Sequence, residues 1–132
     1  CGLTQIFGVV HDENGNPQPG TRLRLTWDGN PTPLYAVAGS YVRPETDASG
    51  WDFVVATYPM DNLWRVAIVD ANGSLLSPEV SVHTVSSCNP NDLNVAKIRF
   101  REKVRTLQHS HCDARGLTSV TQGTLACPYF FH

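Results

Sequence analysis

One turn occurs twice in this chain, and it limits the available folds more than any other feature. Asp12-Glu13-Asn14-Gly15 and Asp70-Ala71-Asn72-Gly73 each follow a β-rich apolar run, and each precedes another extended segment. Asn-Gly between alternating hydrophobic residues is the strongest short-range hairpin signal, because both central residues of a type I′ turn need φ > 0. A small antiparallel β domain is expected.

The segments between the turns carry the period of two that marks half-buried strands. A first strand is expected over 3–10, followed by a loop in which Pro17, Pro19 and Gly20 prevent a helix. Segment 21–28 then sets Leu23, Leu25 and Trp27 against Arg22, Arg24 and Thr26. Segment 34–42 reads as a third strand interrupted by Gly39, and 51–57 puts Trp51, Phe53 and Val55 on one face. Trp64, Val66 and Ile68 oppose Arg65 and Ala67 in 63–70. Pro78 opens a strand with Val80 and Val82 inward and Ser81 and His83 outward. The cleanest alternation is 94–103, with Ala96, Ile98 and Phe100 inward and Lys97, Arg99, Arg101 and Lys103 outward. Seven strands with turn signals about every 8–12 residues predict a β-sandwich. It would fill residues 1–103. From 104 to 132 the composition shifts to Thr, Ser, Gln, Gly and His and ends in Tyr129-Phe130-Phe131-His132, a C-terminal extension too short for a core of its own unless stapled.

With 132 residues the chain reads as one domain with a single core. A net charge of -2 argues against nucleic acid as the main partner. No apolar run approaches the ~18 residues of a membrane span, and no signal-peptide pattern opens the chain, so any export signal is expected to have been removed. Lysine is confined to Lys97 and Lys103 while Asn, Thr, Ser and Gly abound, the look of an exported β protein. Cys1, Cys88, Cys112 and Cys127 make an even count, which in a small loop-rich chain reads as two disulfides formed in an oxidising compartment. Three pairings are open. Cys1–Cys88, tying the ends of the main domain, with Cys112–Cys127, closing the extension on itself, is favoured. In the chain-entropy model the longer loop contributes about 4–5 kcal/mol and the shorter about 3 kcal/mol. Four free thiols are the competing reading. Cys1 as an acylated anchor is a further one, against which β-like sequence from Leu3 leaves almost no tether.

The string Gly8-Val9-Val10-His11-Asp12-Glu13-Asn14-Gly15-Asn16-Pro17, running on to Pro19-Gly20-Thr21-Arg22-Leu23, resembles the opening of carboxypeptidase-regulatory-like and Cna-B-like domains. These are transthyretin-like (prealbumin-like) sandwiches of secreted and surface bacterial proteins. Trp64 to Gly73, followed by Leu76 to Val82, is similar to versions of the same module. The resemblance covers residues 2–103. It implies an all-β, seven-stranded Greek-key sandwich of transthyretin-like or Ig-like type. It also implies that the first and last strands of the domain lie side by side, which would bring Cys1 within reach of Cys88. The family's chemistries do not transfer. The internal isopeptide bond of Cna-B-like domains needs a lysine near the first strand, and this chain has none there; related hydroxyisourate hydrolases end in Tyr-Arg-Gly-Ser, and this chain ends in Tyr-Phe-Phe-His.

Each remaining constellation has a plainer competitor. His109 and His111, two apart beside Cys112, share a strand face and with a thiolate would suit zinc or copper; a disulfide at Cys112 removes that ligand. Asp12, Asn14 and Asn16 are spaced like calcium ligands, but Asx-turn chemistry accounts for them. Neither metal nor any other cofactor is expected. Trp27, Trp51 and Trp64 fall on the inward register and read as core, which leaves Tyr35, Tyr41 and Tyr58 near loops as candidate ligand contacts. Arg22, Arg24, Lys97, Arg99, Arg101 and Lys103 would form a basic patch if their strands were close; a solvated sheet face is the simpler reading. Asn72-Gly73-Ser74 fits a glycosylation sequon but coincides with the turn. No nucleophile elbow, P-loop or Cys-x-x-Cys is present, so an enzyme has nothing to rest on.

Tyr129, Phe130 and Phe131 are costly to leave in water, at about 1.5–3 kcal/mol per large side chain. Open sandwiches also have edge strands that accept an added strand. The extension is thus expected to fold back on its own domain or to dock on another copy. The expected function is a non-enzymatic extracellular or cell-surface structural or adhesive module, assembling into a filament through this extension. Its partners would be other copies or other extracellular proteins. The alternative is an extracellular accessory domain that binds carbohydrate or another ligand.

Overall fold

The computed structural model describes residues 2–29, 32–89, 93–103 and 124–130, with Lys103 and 124–130 described by their backbone alone. Among these residues there is no helix. Eight strands follow one another: β1 (Thr4–His11), β2 (Arg22–Trp27), β3 (Leu34–Val37), β4 (Trp51–Ala56), β5 (Asn62–Val69), β6 (Val80–Thr84), β7 (Val95–Lys103) and β8 (Thr124–Phe130). They form two sheets, ordered β4-β1-β7-β8 and β3-β2-β5-β6. One apolar cluster lies between them. Ile6, Val10, Trp51, Phe53, Ala96, Ile98 and Phe100 from the first sheet meet Leu23, Leu25, Trp64, Val66, Ile68, Val80 and Val82 from the second. Every inward position read from the alternation of β2, β6 and β7 lies in or against this cluster, including the half-buried Trp27. Period-two sequence makes a two-faced strand, and two such sheets bury their apolar faces only against each other.

Several details differ from expectation. Both Asn-Gly turns are three-residue loops, not two-residue type I′ turns. The Gly15 amide donates to the Asp12 carbonyl (3.1 Å) and the Asp12 amide to the Asn16 carbonyl (2.9 Å), with Gly15 at φ 84°. Glycine therefore supplies the single left-handed residue after the turn. The second loop repeats this bond for bond, from Gly73 to Asp70 (3.0 Å) and from Asp70 to Ser74 (2.9 Å). The Asp side chain pins each loop from inside, since Asp12 Oδ1 accepts the amides of Asn14 and Asn16, and Asp70 Oδ1 those of Asn72 and Ser74. Only the second loop leads back into the same sheet, where β6 pairs antiparallel with β5. After the first, the chain makes one bridge, His11 to Pro17, and crosses to the opposite sheet as β2.

Nor is the fold wholly antiparallel. β1 pairs with β7 in parallel from Gln5–Val95 to His11–Arg101, and β7 pairs with β8 in parallel. Turn residues dictate local reversals, whereas strands distant in sequence take whichever direction the packing of the two sheets leaves. The third strand stops at Val37, because Gly39 (φ 102°) turns the chain out of the ladder. Ala67, read as outward, is buried, since Arg24 stands opposite it on β2 and the arginines of that strand reach across to the second turn.

Two buried serines continue ladders where a neighbouring strand has departed. Ser49 Oγ accepts the Val10 amide (3.0 Å), and Ser77 Oγ accepts the Ile68 amide (2.9 Å). Two buried threonines clamp the β4–β5 connection between the sheets. Thr4 Oγ1 accepts the Met60 amide and donates to the Tyr58 carbonyl (both 2.9 Å). Thr84 Oγ1 donates to the Met60 carbonyl (2.7 Å) and accepts the Trp64 indole N–H (2.8 Å). Each hydroxyl satisfies two groups whose orphaning inside the sandwich would cost more than the bonds themselves contribute.

Candidate functional site

A sandwich of open sheets presents edges, and the edge of β7 is where the C-terminal extension meets the domain. β8 runs along it in parallel register from Lys97–Thr124 through Phe100–Cys127 to Lys103–Phe130. Tyr129 and Phe130 of the proposed assembly segment thus stand in this strand, opposite Glu102 and Lys103, while Phe131 lies outside the described residues. The first turn reaches the same end of β7, because Arg101 Nη2 donates to the Glu13 carbonyl (2.7 Å). Glu102 is held above the ordinary carboxylate range, first by desolvation and then by the charges of Glu13 and Asp12.

Further along this sheet end, Asp47 bridges His11 and Ser49. His11 Nε2 lies 2.6 Å from Asp47 Oδ2, and Ser49 Oγ donates to Asp47 Oδ1 at 2.6 Å. These are the residue types of a hydrolytic triad in the wrong order. The serine hydroxyl donates to one carboxylate oxygen and the imidazole meets the other, so the acid, not the histidine, is the serine's hydrogen-bond acceptor. The cluster is a latch holding the 43–50 segment to β1. Burial pushes the Asp47 carboxyl up, but the Ser49 hydroxyl, His11 and the Ser49 amide outweigh it and hold the group below its usual range.

On the outer face of the other sheet, the Arg22 guanidinium lies 4.3 Å over the Tyr35 ring, which is 44% exposed. Arg22 and Arg24 donate to the carbonyls of Ala71 (3.2 Å) and Gly73 (3.3 Å), and Arg24 faces Glu79 at 3.7 Å. The basic patch therefore does not assemble. Arg22 and Arg24 belong to one sheet and Lys97, Arg99 and Arg101 to the other, and their side chains point away from opposite sides of the core. The three tyrosines have different surroundings. Tyr35 sits against Arg22, Tyr41 packs edge-on against Phe7 of β1 (6.1 Å) with Arg43 over its ring, and Tyr58 is exposed in the β4–β5 connection.

His109 and His111 lie outside the described residues, among which no group of three His, Cys, Asp or Glu is placed to hold a metal ion. No helix among the described residues is long and apolar enough to cross a membrane. Cys88 is disulfide-bonded; Cys1 and Cys112 lie outside the described residues and Cys127 is described by backbone alone. Sequence reasoning missed Thr4, Thr84, Ser49 and Ser77. The two threonines carried a legible signal, since each shares strand parity with the buried residues Ile6 and Val82. No family model, curated protein or solved structure matches this chain.

Proposed function

We propose that this chain is a non-enzymatic extracellular module with a structural or adhesive role, which associates with further copies of itself through residues 104–132. The observation that carries the reading is the parallel seating of 124–130 on the edge of β7. It joins the end of the chain to the domain by backbone ladder bonds, the currency of strand addition between proteins. The module is a seven-stranded Greek-key sandwich of the carboxypeptidase-regulatory-like or Cna-B-like kind, with the extension as an eighth strand. The parallel pairing of β1 with β7, two strands at opposite ends of the domain, supports that assignment.

The bonded Cys88 supports an oxidising, extracellular or cell-surface location. Its neighbourhood supports Cys1 as its partner. The Gln5 amide donates to the Asn94 carbonyl (3.1 Å), and Asn94 Nδ2 donates to the Ser87 carbonyl (2.9 Å), so the start of β1 runs beside residue 88. Cys112 and Cys127 then form the second bond. Electron microscopy and light scattering of the full chain, against a chain ending at Lys103, test the reading. Concentration-dependent particles that vanish on truncation are expected; a clean monomer at every concentration into the millimolar range removes it.

A second reading, an accessory domain that binds carbohydrate or another extracellular ligand, is favoured by one observation. Tyr35 presents an exposed aromatic ring backed by a guanidinium, a surface on which a sugar ring can stack. Loss of glycan binding in Tyr35→Ala, with folding intact, is its expected result.

A further inference from the structure

We infer that the edge of β7 is an exchange site, and that its occupant in assemblies is the 124–130 segment of a second copy of this chain. This rests on the self-association reading above and specifies its contact. The β7–β8 pairing is defined by backbone register, Lys97–Thr124 to Lys103–Phe130, and a backbone ladder is indifferent to which copy supplies the strand. The connection permits either source. Because the pairing is parallel, the chain leaves β7 at Lys103 and must return to the level of Lys97, a distance of about 20 Å at ~3.3 Å per residue. The intervening residues, 104–123, would reach up to ~70 Å when extended, and even the shorter route through residues 104–112 and a Cys112–Cys127 bond spans ~30 Å, more than the return requires. Such a tether delivers the strand to any β7 edge nearby, its own or a neighbour's.

Concentration selects between the two. A strand linked to its own edge within one chain meets that edge at an effective concentration of about millimolar order. The dilute chain therefore closes on itself, and exchange takes over when neighbouring copies are packed to comparable density, as on a surface. The outer edge of β8 is a poorer place to add a strand. Pro128 lacks an amide hydrogen, and a proline within a sheet belongs on an edge strand with its missing donor turned to solvent, so the outer edge of β8 cannot donate a full ladder. Two copies share this sheet by trading β8 on β7 instead of stacking beyond it. A reciprocal trade closes a dimer, and a trade passed from copy to copy runs on as a filament.

Shortening the connection tests this directly. Deleting residues 105–122 leaves Val104 and Gly123, which span only ~10 Å, too little for β8 to reach its own β7. Cys127→Ser in the same chain excludes intermolecular disulfides, because the deletion removes Cys112. The shortened chain is expected to be a dimer or larger at micromolar concentration by size-exclusion with light scattering, where the full chain is a monomer. A monomeric shortened chain with native tryptophan fluorescence overturns the proposal. The full chain gives a second test that needs no variant. Equal amounts of ¹⁵N- and ¹³C-labelled protein are mixed and brought to millimolar concentration, and contacts between 97–103 and 124–130 are sought across the labels by NMR. Contacts across labels support exchange. Assemblies in which those contacts stay within one chain overturn exchange while leaving self-association standing, and no assembly at all removes both.

Discussion

Thr84→Val isolates what a buried hydroxyl does for this sandwich. Thr84 is fully buried, and its Oγ1 bonds to the Met60 carbonyl (2.7 Å) and the Trp64 indole N–H (2.8 Å). Valine keeps the shape and removes both bonds. Leaving a buried polar group unpaired costs about 1–3 kcal/mol. Trp64 is only 1% exposed and bears the full penalty, whereas Met60 is half-buried and recovers part of its own from water. The expected loss is about 2–4 kcal/mol. Thr84→Ser keeps both bonds and gives up one methyl, about 1 kcal/mol. Urea unfolding followed by tryptophan fluorescence separates the two. With a slope of about 1.5 kcal/mol per molar, the midpoint falls by about 1.3–2.7 M for valine and by less than about 1 M for serine. A valine variant as stable as the serine variant would refute the clamp. Thr4→Val is expected to lose less, because its partners, the Tyr58 carbonyl and the Met60 amide, recover part of their bonds from water. Because Thr4 and Thr84 hold the amide and carbonyl of the same residue, Met60, the double variant should lose less than the sum of the single losses.

Gly8→Ala places a Cβ 1.7 Å from the Ile98 carbonyl oxygen and 3.0 Å from the Trp51 ring. Since the nearer atom is backbone, the β1–β7 pairing must part, at about 3 kcal/mol or more, with faster amide exchange along β7 as the readout. Asp47 has its carboxyl held below the usual range in the folded state, so its contribution to stability is present above its unfolded value near 3.8 and is lost as pH falls through the lower folded value. Asp47→Asn should therefore be less stable than the parent at pH 6 in urea titrations, with the difference shrinking as the pH falls below 3.8. Asp70→Ala strips the acceptor from the Asn72 and Ser74 amides and should cost about 1 kcal/mol in thermal unfolding, while Asp70→Asn, which retains Oδ1, should cost less.

The strands were legible because alternation is a local code. Leu23 and Leu25, Trp64 and Val66, and Ile98 and Phe100 face inward for the same reason that their neighbours are charged or polar. The turns were legible in place but not in type. Asn-Gly marks a reversal, yet the Asp that begins each motif captures two amides and draws the turn one residue earlier, leaving only glycine left-handed. Of the candidate site, the sequence pointed to the extension, and could not say which edge pairs with residues 124–130.

By itself, then, the order of residues determined which segments extend, where the chain reverses and which side chains are apolar enough to be covered. Tertiary structure alone decided that the first Asn-Gly loop crosses between sheets while the second stays within one. It also decided that β1 lies parallel to β7, that the arginines of β2 and the basic residues of β7 end on opposite outer faces, and that β8 takes the edge of β7. The physical reason is range. Dihedral preference and side-chain parity act over a few residues, but strand partners and directions are set by how two whole sheets bury their faces together, and no short window contains that choice.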